Sequence, residues 1–145
     1  MSNEAPTQAR EDLLNIYVLY IRSILEQSCQ VWHSSLTLEN LQNLERVQKN
    51  ALKIILKDEY QDYENALTVS GLQSLFDRRK ELCFRFAKSC VKNDLTKSMF
   101  PLNEASEMCE IKTRHREKFK VTHCKTKRLQ NSAIPYMQNL LNSEK

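Results

Sequence analysis

Cys109, His115, His123 and Cys124 are the side chains whose types first suggest chemistry, because thiolate and imidazole are the ligands zinc prefers. Their spacing argues against a site. Structural zinc sites bring paired ligands two to four residues apart, and here only the adjacent His123 and Cys124 are close. Neighbours in sequence do not easily reach one tetrahedral centre, so solvated loop residues are the expectation and no metal or other cofactor is assigned. The carboxylate pairs Asp58–Glu59 and Asp62–Glu64 fall at expected helix ends or surfaces, where solvated charge explains them. His33 follows Trp32 at a helix end and reads as an interface or cap residue. The chain has no Asp-Asp pair, no nucleophile elbow and no catalytic cysteine context. No enzyme activity is expected.

The basic residues are more informative. Arg46, Lys49, Lys53 and Lys57 recur at helical steps, placing cations one turn apart and about 5–6 Å from one another. That is near the phosphate spacing of an extended strand. Arg78, Arg85, Lys88 and Lys92 form a second row, diluted by Glu81. Both rows are candidates for backbone contact with nucleic acid, and both also fit the charged outer face of any amphipathic helix. Arg79 differs, since a helical wheel sets it among Leu75, Leu82 and Phe86. A guanidinium there has to be paired, which marks Arg79 as structural.

These side chains need helices to hold them, and composition points to little else. One glycine, Gly71, stands among 145 residues, where average usage would give roughly ten. Sandwiches and barrels need many glycine turns, and one glycine builds neither a dinucleotide fingerprint nor a P-loop. The expected class is all-α: a small bundle of about four helices, then a largely irregular basic tail with a short terminal helix. Net charge is +4, yet eight basic residues face one acidic residue between Lys112 and Arg128. That segment reads either as a site for an anionic partner or as a solvated linker. Five cysteines without a C-x-x-C pair, and a polar start without a leader pattern, place the chain in the cytosol or nucleus rather than in secretion. The best apolar run, Leu13 to Ile21, is nine residues long, far short of the ~20 that a membrane span needs.

Residues 1–8 are expected to be disordered, 9–102 to form the helical domain, and 103–145 to be the low-order tail. The first helix, Ala9 to His33, has an unusually broad apolar face that includes Leu14, Tyr17, Ile21, Leu25 and Trp32. Trp32 is placed at the junction of the first, second and fourth helices. Thr37 can cap a second helix, Leu38 to Lys57, with Leu41, Leu44, Val47, Gln48, Ala51, Ile54 and Ile55 on its core side. A short third helix, Tyr60 to Val69, ends at Gly71 as its left-handed cap. Ser74 and Asp77 resemble a capping box opening a fourth helix to Asn93, with core positions Leu75, Leu82, Cys83, Phe86 and Cys90. Phe119 to His123 suggests a short strand, and Pro135 the first turn of a last helix.

Three stretches together resemble a known family. Tyr20-Ile21-Arg22-Ser23-Ile24-Leu25-Glu26 followed by Val31-Trp32 is similar to the "Y-x-R-x-x-L-E-Y … W" helix that begins the thumb of non-LTR (LINE-type, jockey-like) retrotransposon reverse transcriptases. Residues Leu44 to Leu56, reading LERVQKNALKIIL, resemble that family's "L-E-R-V-Q-R-R-A-L-R-I-I-L". Tyr63, Leu67, Gly71-Leu72, Ser74-Leu75 and Arg78-Arg79 match its "Y-x-x-x-L-x-x-x-G-L-x-S-L-x-x-R-R" turn. The order and spacing hold over about residues 10–102, with Gln27 and Ser23 standing where the family often has Tyr and Pro. The resemblance implies the thumb and post-polymerase region of such an enzyme, downstream of the palm aspartates. It implies a non-catalytic fragment that grips template–primer by its backbone, as an RNA–DNA hybrid or duplex, and has the missing palm as a possible neighbour. The alternative is an autonomous helical adaptor that binds a protein partner and no nucleic acid.

Overall fold

The computed structural model describes residues 4–103 and 118–143, and the chain is all-α; among the described residues no strand forms. Helix α1 (Glu4–Ile16) runs into a π-helical stretch (Tyr17–Arg22) and then α2 (Ser23–Glu26). Helix α3 (Cys29–Trp32) and a 3-10 turn (His33–Ser35) precede α4 (Leu38–Leu56). A second 3-10 turn (Lys57–Glu59) leads to α5 (Tyr63–Ser70), and α6 (Leu75–Lys92) follows. After a 3-10 turn at Lys97–Met99 come α7 (Lys127–Gln130) and α8 (Ala133–Ser143). No helix of the described residues is long and apolar enough to cross a membrane.

The chain divides into two units, residues 1–29 with 36–79 and residues 30–35 with 80–145. This is not the expected division at 102/103: α8 shares a core with the later part of α6 instead of ending a loose tail. Residues 104–117, where low order was expected, lie outside the described residues, and the backbone is already helical from Glu4.

In the first unit, Leu52, Leu56, Ala66 and Leu67 form the apolar core, with Leu14, Tyr60, Tyr63 and Leu72 against it. A polar relay runs beside it. The Tyr17 hydroxyl donates to Gln48 Oε1 at 2.8 Å, and Gln48 Nε2 donates to the Tyr63 hydroxyl at 3.0 Å and to the Gln73 carbonyl at 2.8 Å. Tyr63 donates in turn to Glu45, whose carboxylate accepts the Leu75 and Phe76 amides at 3.0 and 3.3 Å. Glu45, on α4, therefore satisfies the free amides that open α6, where a helix dipole favours negative charge. Burial raises the phenol pKa values of Tyr17 and Tyr63, and the bond to Glu45 adds to the rise at Tyr63.

The turns follow their chemistry. Thr37 accepts the Asn40 amide at the start of α4, and Asp62 accepts the Asn65 amide at the start of α5. Ser74 and Asp77 bond reciprocally at the start of α6. Gly71 has φ 66°, and the bonds Leu72 N–H to Leu67 O and Gly71 N–H to Thr68 O close a Schellman turn.

The expected first helix is corrected. It breaks at Gln27–Ser28, where Ser28 takes φ 53°, and the π-helical stretch shifts the buried positions. Tyr17 and Arg22, five residues apart, are buried, whereas Ile21 is 43% exposed. The broad apolar face is left largely open: Leu13, Ile16, Leu19, Tyr20 and Ile24 are all exposed. On α4, Leu52 rather than Ile54 is in the core, Ile54 being 69% exposed and Val47 exposed too, because the apolar stripe is wider than α5 and the π-helical stretch cover. On α6 the buried face is Leu75, Arg79, Cys83, Ala87 and Cys90, and Phe86 is exposed.

In the second unit, Ala87, Cys90, Phe100, Phe119, Met137 and Leu141 form the core. The expected strand at Phe119 to His123 is a single bridge between Leu102 and Phe119. Asn142 completes it from α8, its amide accepting the Phe119 N–H and donating to the Phe119 carbonyl, both at 2.9 Å. A side chain thus does a second strand's bonding. Gln138, fully buried, accepts the Thr122 amide and donates to the Met99 carbonyl. His33 is buried with its ring edge-on to Tyr136 at 5.8 Å, and burial, with a smaller contribution from Cys83, pushes the Tyr136 phenol up to about 12. Trp32 belongs to this unit and is half-buried rather than fully enclosed. The turn at Ser28 redirects the chain before Trp32 is reached.

Candidate nucleic-acid interface

Helix α4 owes its length to its ends and to what it lacks: a Thr37 cap, no glycine or proline across 19 residues, and a buried apolar side. Such a helix presents its opposite side as a rigid row. Arg46, Lys49, Lys53 and Lys57 are all exposed. Among the described residues, no carboxylate lies within ion-pair distance of any of the four. Lys53 Nζ stands 5.5 Å from the Tyr60 ring centre, an attraction that leaves the ammonium facing solvent. Lys57 lies just past the helix end at φ 47°, its amide bonded to the Lys53 carbonyl. Three cations therefore sit on the helix itself, and the fourth on the turn that closes it.

The α6 cations are placed differently. Arg78, in the first unit, is half-buried with Nε 3.5 Å from Glu26 Oε1, and Glu26 also accepts from Arg22 at 2.6 Å. In the second unit, Arg85 is bonded to Glu81, and Lys88 is half-buried with Nζ 4.4 Å from the Phe84 ring centre. Only Lys92 of that row is exposed at the helix end without an ion pair among the described residues. The α6 row is thus largely committed to contacts within the chain. Arg79 is fully buried and engaged.

Among the described residues the other chemistry-bearing side chains do not converge. Cys109 and His115 lie outside the described residues, His123 is exposed, and the Cys124 thiol donates to the Thr122 carbonyl at 3.1 Å. Among the described residues no group of three ligand side chains could hold a metal. Glu59 pairs with Arg10 at 2.6 Å, and Asp62 caps α5. Two features escaped sequence reasoning. The Tyr17–Gln48–Tyr63–Glu45 relay was signalled only by a polar Gln48 on an otherwise apolar stripe. The other is an open apolar groove between α1, the π-helical stretch and α4, hidden because periodicity reports an apolar face without saying whether anything covers it.

No family model matches the chain, and no curated protein or solved structure does.

Proposed function

We propose that this chain is a non-catalytic helical piece of a LINE-type reverse transcriptase, working in the cytosol or nucleus, whose task is to hold nucleic acid by its backbone. The observation that carries the reading is the α4 row: Arg46, Lys49 and Lys53 on one rigid helix, exposed and unopposed by carboxylates among the described residues. A cation that is not neutralised within the chain is available to a phosphate. One fixed on a helix also loses less freedom on binding than one on a mobile segment. The resemblance over about residues 10–102 supports the same reading. Arg78, Arg85 and Lys88 join it only secondarily, since each already has a partner within its own unit.

Replacing Lys49 and Lys53 together with Gln tests it. Binding to an RNA–DNA hybrid or duplex should weaken for every sequence alike. The slope of log affinity against log salt should flatten by nearly two, at about 0.9 per phosphate contact. Lys118 and Lys120 replaced by Gln give the control of equal charge. Equal losses from both pairs would reduce the row to diffuse attraction, and no binding at low salt would end the reading. The adaptor alternative is favoured by one observation, the uncovered apolar face of α1 and α4, and an apolar contact keeps its strength as salt rises.

A further inference from the structure

Between α1, the π-helical stretch and α4 lies a groove of about 400 Å³, formed within the first unit by Leu13, Ile16, Ile21, Val47, Ala51 and Ile54. The apolar residues along its edges are open to water, Leu13 at 41%, Ile16 at 51% and Ile54 at 69%. Isolated exposed aliphatics are ordinary, but a continuous apolar channel marks a surface that another molecule covers. We propose that this groove seats an amphipathic helix of a protein partner, with an apolar stripe that enters the channel and an acidic flank on the α4 side. The proposal goes beyond nucleic-acid binding and does not depend on it.

Three features define the occupant. First, the walls are helices, and their lining residues recur at three- to five-residue steps, so the channel follows two helix axes. A third helix laid along such a channel interdigitates with both. Second, the lining is aliphatic apart from the Tyr17 ring and the Asn50 amide. An extended peptide would bring backbone N–H and C=O groups against walls that offer them almost no partners, whereas a helix satisfies its own. Third, the rim is charged on one side. At about 100° per residue, Arg46 and Lys53 lie roughly 80–100° round α4 from Ile54, both beyond Asn50 on the same side. Both are exposed, and neither has an ion-pair partner among the described residues. A carboxylate flank beside the partner's apolar stripe meets them directly, and a basic flank is repelled.

The probe is a fluorescein-labelled designed helix with Leu at i, i+3, i+4 and i+7 and Glu beside that stripe, titrated with the full chain and read by anisotropy without nucleic acid. A matched peptide with Lys in place of Glu is the comparison. The Glu peptide should bind more tightly by about tenfold or more, and Ile54→Asp should weaken it by a similar factor, as loss of a central anchor does. Arg46→Gln should narrow the gap between the two peptides while leaving the Lys peptide no weaker. Ile54 is largely exposed, so Ile54→Asp should keep its helical circular dichroism, and Ile54→Asn serves as a second, uncharged variant. Equal binding of both peptides, or no binding of either, overturns the proposal. So does self-association in sedimentation that Ile54→Asp abolishes, because the groove would then belong to a second copy. Since Ile54→Asp leaves Lys49 and Lys53 in place, failure here is distinguishable from failure of the nucleic-acid reading.

Discussion

Gln48 is the residue on which the first unit turns. It sits at zero exposure on a helix whose other buried residues are aliphatic, and it accepts from Tyr17 while donating to Tyr63 and to Gln73. Three segments are thereby fixed to α4 by one amide. Tyr17→Phe removes a single donor and leaves Gln48 Oε1 buried without it, which should cost about 1–3 kcal/mol in urea melts near pH 7.5. The same substitution has a second signature at high pH. The Tyr17 and Tyr63 pKa values are raised, and Tyr136 is pushed up to about 12, in each case chiefly by burial. Below the ordinary phenol value near 10 both folded and unfolded chains keep these protons, so the three groups add no pH dependence there. Above it the unfolded chain ionises first and binds fewer protons, and stability falls as pH rises toward the folded values. Tyr17→Phe should be the less stable protein at neutral pH and yet lose less than the parent between pH 9 and pH 11. An equal loss in both would show that Tyr17 is not held neutral by the fold.

Single elements explain why parts of this chain are legible in its sequence and others are not. The ends of α4, α5 and α6 could be placed closely because Thr37, Gly71 and the Ser74–Asp77 pair act through bonds to their own neighbours. Which face each helix buries depends on distant partners. Ile54 and Phe86 lie on apolar stripes and are exposed, while Leu52 and Ala87 fill the cores. The candidate row on α4 was legible because surface cations need only helical spacing. The partner of Arg78 was not, since Glu26 comes from another segment, and helical spacing showed Glu81 only as diluting the α6 row. Gly71 permits a sharp elemental test. A β-carbon there meets nothing within 4 Å, so the cost of Gly71→Ala is the left-handed backbone alone. The loss should be about 1 kcal/mol, with Gly71→Asn smaller, by thermal or urea unfolding. A loss of several kcal/mol would mean that the Schellman turn holds more than the end of α5.

At the scale of the molecule, the long helix α6 contributes to both units, Leu75–Arg79 to the first and Lys80–Lys92 to the second. Lys80 is exposed, so Lys80→Pro acts on the backbone alone, removing a hydrogen bond and clashing with the preceding turn at a cost of about 3 kcal/mol or more. Hydrogen exchange should then show lost protection around both Leu52 and Leu141, with Lys80→Ala near neutral. Protection lost in one unit only would make the two independently stable. The π-helical stretch has a wider meaning still. It lets Tyr17 and Arg22 share a buried side at a five-residue step that an ordinary helix does not offer. Removing any one residue from it would restore the ordinary step and swing Leu13 and Ile16 about 100° round the axis, away from Val47 and Ile54. The groove is therefore specified by chain length as much as by side chains. A related sequence that aligns here with a one-residue gap at Val18, Leu19 or Tyr20 would keep every residue that lines the groove and lose the channel, so partner choice could change between lineages without a single substitution in the surface that makes it.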